Sequence, residues 1–191
     1  MKILWTVGMV FFAVMSKPVF AFEDSAVRPA ISEKPYTMMQ KLNSLAGQWQ
    51  METKVSMDGG KTWTSAPKNR VTIQYDHKDM VISEKPVKAA NGGFNMLSFI
   101  TYDQYRDVYR KAAIDDVWGI MDIYEGKIHG DKLVMTNLKS QTLFPLEDGK
   151  WRGFRLTLEL KSDLRQMTVE STDDNGESWS PNFVITYTKV S

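Results

Sequence analysis

The sequence predicts an all-β protein, an antiparallel up-and-down barrel of about ten strands preceded by one short helix. Three observations predict it. Apolar and polar residues alternate with a period of two from Trp49 almost to the C-terminus, as half-buried strands require. Clusters rich in Gly, Asp and Asn interrupt that alternation about every ten residues, the spacing of turns in a sandwich or barrel. The connections are short, so consecutive strands pair with each other. Closing such a meander removes the bare edges that an open sheet would expose.

The chain opens on a leader. Lys2 supplies a positive start, Ile3 to Met15 an apolar run, and Val19-Phe20-Ala21 a small-residue cleavage site. Residues 1–21 are therefore expected to be a signal peptide, cut near Ala21, which directs the protein to a bacterial periplasm or exterior. The apolar run is shorter than the roughly 20 residues a membrane helix needs, so no integral membrane segment is expected in the mature chain. Removing 21 residues from 191 leaves 170, one domain by length. The chain has no cysteine, so neither a disulfide nor a lipidated Cys is available and the core alone must hold the fold. Of 24 basic residues the leader takes Lys2 and Lys17, leaving 22 against 23 acidic ones. That near-zero, interspersed charge argues against nucleic acid or an anionic membrane surface as a partner. It does not fix the oligomeric state.

Residues 22–36 are polar and proline-bearing and read as a flexible arm. A helix is expected next. Thr37-Met38-Met39-Gln40 fits a capping box, Met38, Leu42 and Leu45 share a helical face, and Gly47 can end it in the left-handed conformation. The domain then runs over residues 37–191. Trp49, Met51, Thr53 and Val55 form the inner face of the first strand, and Val71, Ile73 and Tyr75 that of the next. Met80 to Val87 follows, then a turn at Asn91-Gly92-Gly93. The central meander comes after it, with strands expected over 94–101, 107–114 and 117–124. Leu133 to Leu138, Phe154 to Leu160, Arg165 to Ser171 and Phe183 to Val190 complete the set.

A short helix ending in Leu45-Ala46-Gly47-Gln48-Trp49 before about ten meandering strands resembles the lipocalin-like (calycin) barrels, whose first strand opens on Gly-x-Trp. Ile100-Thr101-Tyr102-Asp103, Asp115, Asp174-x-Gly176 and Tyr187 are similar to an uncharacterised lipocalin-like family of exported bacterial proteins. The resemblance covers about Leu42 to Lys189. It implies a barrel whose mouth or interior holds a small apolar ligand, and it implies no activity.

Two stretches repeat each other. Ser56-Met57-Asp58-Gly59-Gly60-Lys61-Thr62-Trp63 recurs as Thr172-Asp173-Asp174-Asn175-Gly176-Glu177-Ser178-Trp179. Both are similar to the Asp box of sialidase propellers, which would imply a glycosidase. A propeller, however, repeats a blade of about 40–50 residues at least four times, and this chain is long enough for one barrel. The expected role is a hairpin turn, with Asp accepting turn amides and Trp packing back over the loop. The pairs Asp115-Asp116 and Asp173-Asp174 also fall at turns, and strand neighbours point to opposite faces, so neither pair is placed to flank one bond. No enzymatic activity is expected. His77 and His129 fall in turns without a second soft ligand nearby, and nine mature-chain methionines are spread about one per strand, as core fillers are. No metal and no cofactor are expected.

Polarity on an inner face marks the candidate site. If Trp118 and Ile120 point inward, so do Asp122 and Tyr124. Arg110 shares a face with Val108, Ala112 and Ile114, and Arg165 with Met167 and Val169. A buried charge needs a partner, so Arg110 and Asp122 are expected either to pair inside the barrel or to form the polar end of a pocket. Tyr102 and Trp118 would supply its aromatic wall. The function expected is binding of a small apolar ligand by Tyr102, Arg110, Trp118 and Asp122. The alternative is a filled barrel that contacts protein or glycan through Trp63 and Trp179.

Overall fold

The computed structural model describes residues 30–87 and 95–190. The expected leader, most of the arm, and the turn at Asn91-Gly92-Gly93 with Phe94 lie outside the described residues.

Period-two alternation gives twelve strands: β1 (Gly47–Val55), β2 (Thr64–Ser65), β3 (Asn69–Asp76), β4 (Val81–Pro86), β5 (Met96–Asp103), β6 (Val108–Asp115), β7 (Met121–His129), β8 (Lys132–Thr136), β9 (Phe144–Pro145), β10 (Trp151–Glu159), β11 (Leu164–Thr172) and β12 (Ser180–Lys189). The two-residue β2 and β9 are ribbons beside β1 and β10. The other ten pair antiparallel in chain order, and β12 returns to β1, so the sheet closes as expected into a ten-stranded up-and-down barrel. Closure leaves the ten long strands with no unpaired edge.

Register carries a single inner face round the tube. Trp49 stands opposite Val71, Ile73 opposite Glu84, Ile82 opposite Ile100, and Tyr102 opposite Tyr109. Lys111 then faces Tyr124, Gly126 faces Met135, Leu158 faces Met167, and Arg165 faces Tyr187, which returns to Met51. At Gly126 the tube is pinched. A Cβ there would lie 1.8 Å from the Val134 carbonyl oxygen, so β7 and β8 approach this closely only because the position is glycine.

Helix α1 (Glu33–Gln40) closes one end. It begins four residues before the expected start, so residues 33–36 of the expected arm are helical and Thr37 lies mid-helix rather than at a cap. Pro35 permits this, because the first turn has amides with no intrahelical partner to lose. A 3-10 turn over Asn43–Leu45 follows, Ala46 turns the chain to extended, and Gly47 is the first residue of β1 rather than a left-handed helix cap. The Met39, Leu42 and Leu45 side chains fill the barrel end and are fully buried. Two carbonyls of the last helical turn are met from the barrel: the Tyr109 hydroxyl donates to Met38 O at 2.7 Å and the Tyr75 hydroxyl to Met39 O at 2.6 Å. Helix ends carry carbonyls with no intrahelical donor, and these tyrosines supply some of the missing donors.

The strand boundaries of the central meander fall later than expected, at Met96–Asp103, Val108–Asp115 and Met121–His129. Val117, Trp118 and Ile120 belong to the β6–β7 loop, because the Asp115 carboxylate accepts the amides of Val117, Trp118 and Ile120 and winds that segment into a turn.

Candidate functional site

The lumen is built from two polar groups of side chains. At its floor Arg165 lies buried, only 1 % exposed, with its guanidinium 3.7 Å from the Trp49 ring centre and 5.0 Å from that of Tyr187. Its Nη1 donates to Ser44 O at 3.2 Å and its Nη2 to Leu45 O at 3.3 Å, which answers the carbonyls of the 3-10 turn. Trp49 Nε1 donates to the same Leu45 carbonyl. Arg165 Nε has no partner among the described residues. Burial lowers the guanidinium to about 10, while the charges of Tyr187 and Glu84 oppose the shift.

Above that floor Lys111, 6 % exposed, projects inward from β6 and donates from Nζ to Ser98 Oγ at 2.5 Å. Burial holds its ammonium below the ordinary lysine value, with the Glu84 charge acting the other way. Glu84 accepts the Tyr187 hydroxyl at 3.2 Å, and burial raises that phenol. Lys111, Ser98, Glu84, Arg165 and Tyr187 share one cavity with Ile73, Ile82, Ile100, Met135, Leu158 and Met167. About 10 Å³ of it is open to the centre of a water molecule, room for roughly one water.

Toward the end opposite the helix lies a second group. The Tyr124 hydroxyl donates to Asp122 Oδ2 at 3.2 Å, and burial pushes the Asp122 carboxyl up against the hydrogen bonds of Tyr124 and Asn137. Asn137 is fully buried, donating to Thr142 O and accepting the Phe154 amide.

The end opposite the helix carries the long connections and exposes large apolar side chains, among them Met57, Trp63, Val117, Trp118, Phe144 and Trp151. Both repeated stretches sit at this end, and they share four hydrogen bonds. Ser56 Oγ donates to Asp58 and accepts the Gly60 amide, while Asp58 takes the Thr62 amide and hydroxyl. Thr172, Asp174, Gly176 and Ser178 repeat the set. These bonds hold the Asp58 carboxyl at about 2, the Thr62 hydroxyl first among them, and keep Asp174 well below the usual carboxylate range. Trp63 donates to Gly60 O, whereas Trp179 is half-buried beside Gly176 with the Arg155 guanidinium 4.4 Å from its ring centre.

The four expected site residues do not come together, and none borders the cavity. Asp122 faces the lumen, but its partner is Tyr124. Arg110 is on the outer face of β6, 3.9 Å from Asp103, because Tyr109, Lys111, Ala113 and Asp115 are the buried set of that strand. Tyr102 faces inward at the helix end, where its hydroxyl donates to Asp107 at 2.5 Å and its ring meets Tyr109 edge-on. Trp118 is 65 % exposed on the rim. Sequence reading missed Lys111 and Glu84. The signal for Lys111 was the hairpin: a tight turn over residues 104–107 sets Tyr102 opposite Tyr109, so an inward Tyr102 requires an inward Lys111 and an outward Arg110.

A closed antiparallel barrel of ten strands, plugged at one end by a helix and lined by a polar cluster, fits the lipocalin-like class of β-barrel. The chain belongs to the family described as "Protein of unknown function (DUF1579)", which matches residues 34–189 and so spans the helix and all the long strands. No curated protein matches the chain. Among the described residues no helix is long and apolar enough to cross a membrane.

Proposed function

We propose that this protein is an exported, non-enzymatic calycin-type barrel that takes up a small, largely apolar ligand through its open end, in the periplasm or outside the cell after cleavage near Ala21. One observation carries the reading. Met51, Met167, Phe183 and Ile185 face inward in a closed tube yet are only part-buried, which supports a path into the lumen from the end away from α1. The apolar rim supports it, since an apolar molecule finds a path there. The resting cavity is small, and Met135 and Met167 on its wall are unbranched side chains able to change rotamer around a guest. Asp122 keeps its place in this reading as part of the lumen wall, and Trp118 as part of the rim. Asp58 and Asp174 are committed to their own turns, which supports a structural rather than hydrolytic role.

Native mass spectrometry of the protein purified from its own host tests the proposal. A bound small molecule released on denaturation is the expected result. The bare polypeptide mass in every preparation would sink it.

A specific observation favours a second reading, the filled barrel used as an interaction module. The cavity at rest admits about one water, and the twin turns stand on one rim with Trp63 exposed. Under that reading Trp63→Ala abolishes partner capture and leaves thermal stability unchanged.

A further inference from the structure

The cavity holds more positive charge than the carboxylate that lines it answers. Lys111 and Arg165 both line the cavity, and among the described residues Glu84 is the one carboxylate that lines it with them. Neither cation has a carboxylate at ion-pair distance among the described residues; Lys111 has only the Ser98 hydroxyl, and Arg165 only two main-chain carbonyls and the rings of Trp49 and Tyr187. An ammonium offers three donors, so two of those on Lys111 have no acceptor among the described residues. Arg165 Nε, on a side chain that is 1 % exposed, has none either. A buried charge left this incompletely compensated is destabilising unless something else completes it.

We propose that the ligand is an apolar monocarboxylic acid whose carboxylate seats between Lys111 and Arg165. This rests on the lumen-binding reading above and names the chemistry of the head group. The carboxylate supplies the missing acceptors and cancels the excess positive charge. Its hydrocarbon body runs past Met167, Ile185 and Phe183, the inward-facing and part-buried residues that lead toward the open end. Glu84 accepts the Tyr187 hydroxyl and acts on Lys111 through its charge, without an ion pair among the described residues. A neutral alcohol of the same length would enter the same apolar path without completing the charge.

Calorimetric titration of the purified protein with decanoic acid and with decan-1-ol, repeated on Lys111→Met, tests this. Decanoate should bind the wild type at least about tenfold more tightly than decanol, the range of a charge-assisted hydrogen bond made in a buried site. In Lys111→Met the preference for decanoate over decanol should shrink several-fold, with Arg165 still answering part of the carboxylate. Far-ultraviolet circular dichroism and a cooperative melt establish that the variant is folded. Equal affinities in the wild type, or a preference for decanoate undiminished in Lys111→Met, overturn the head-group assignment and leave lumen binding standing. No binding of either compound to the wild type removes the lumen reading itself, and the head-group assignment goes with it.

Discussion

Lys111→Met should make this protein more stable. The ammonium lies in the barrel interior with one protein acceptor, Ser98 Oγ, and no carboxylate in contact among the described residues. Replacing buried ions by a hydrophobic side chain of similar volume is commonly neutral to stabilising by about 1–4 kcal/mol, because the desolvation of the charge is recovered. Against that gain, Ser98 loses its partner, a loss of about 1 kcal/mol. The balance is a gain of about 0–3 kcal/mol, or up to about 12 °C in Tm for a domain of this length. Urea unfolding at pH 7 reads it directly. A second arm follows from the sign of the shift. The folded state holds the Lys111 value below 10.5, so above the folded value the unfolded chain binds more protons and wild-type stability rises with pH. The variant has no such group, so its advantage should shrink as pH rises through the folded Lys111 value toward 10.5. Tyr75, at about 12, and the more deeply placed Tyr109 and Tyr124 are raised above 10 and lower the stability of both proteins alike at higher pH, so the two are compared at each pH. A variant less stable than wild type at pH 7, or an advantage unchanged by pH, would refute the view that Lys111 is an undercompensated charge.

Two further outcomes are expected. Tyr75→Phe and Tyr109→Phe each remove a hydroxyl donated to a carbonyl of the last turn of α1, so each should cost about 1 kcal/mol in urea unfolding and together about 2, with faster amide exchange in the helix. A double variant no weaker than either single one would mean that the two tyrosines do not hold the helix independently. The Asp58 carboxyl, held at about 2 against an ordinary 3.8, should titrate in that low range when followed by carbon-13 shifts. Since its folded value is depressed, its contribution is full above the unfolded value and fades as pH falls through about 2. A midpoint near 4 would show that the turn is not formed as described.

The barrel was legible because a closed sheet asks for one simple thing, a period of two sustained through every strand, and Trp49, Val71, Ile73, Phe154, Leu156 and Arg165 all lie on the expected face. The twin turns were legible because Ser/Thr, Asp, Gly and Thr/Ser at fixed offsets define a local hydrogen-bond set that needs no tertiary partner. The lining was not, for a reason visible in β6. Val108, Ala112 and Ile114 alternate with Tyr109, Lys111 and Ala113, and each face carries apolar residues and one cation. Counting apolar residues favours the face that the structure turns outward. Only pairing with β5 decides, and register is a tertiary fact. The helix start was missed similarly: Thr37 offers a good local cap, but packing of Met39, Leu42 and Leu45 into the barrel end and the tyrosine hydroxyls on its last turn reward a helix that begins earlier.

That same strand shows why the lumen reads as a site rather than as a core. A barrel without disulfides depends on its interior packing, and a methionine or leucine at position 111 would fill the space of Lys111 without a charge to desolvate. Trp49 and Arg165 have a structural justification, since together they close the 3-10 turn and cover the floor. Lys111 closes no turn and caps no helix; it reaches one hydroxyl beside a cavity. Residues that break a local rule without a compensating structural gain concentrate where a protein meets its ligand. The two measurements on Lys111→Met therefore have to be read together. Greater stability with a reduced preference for decanoate means that the charge serves the ligand. Greater stability with no ligand effect would leave the charge without a role in binding, and lower stability would make it part of the fold.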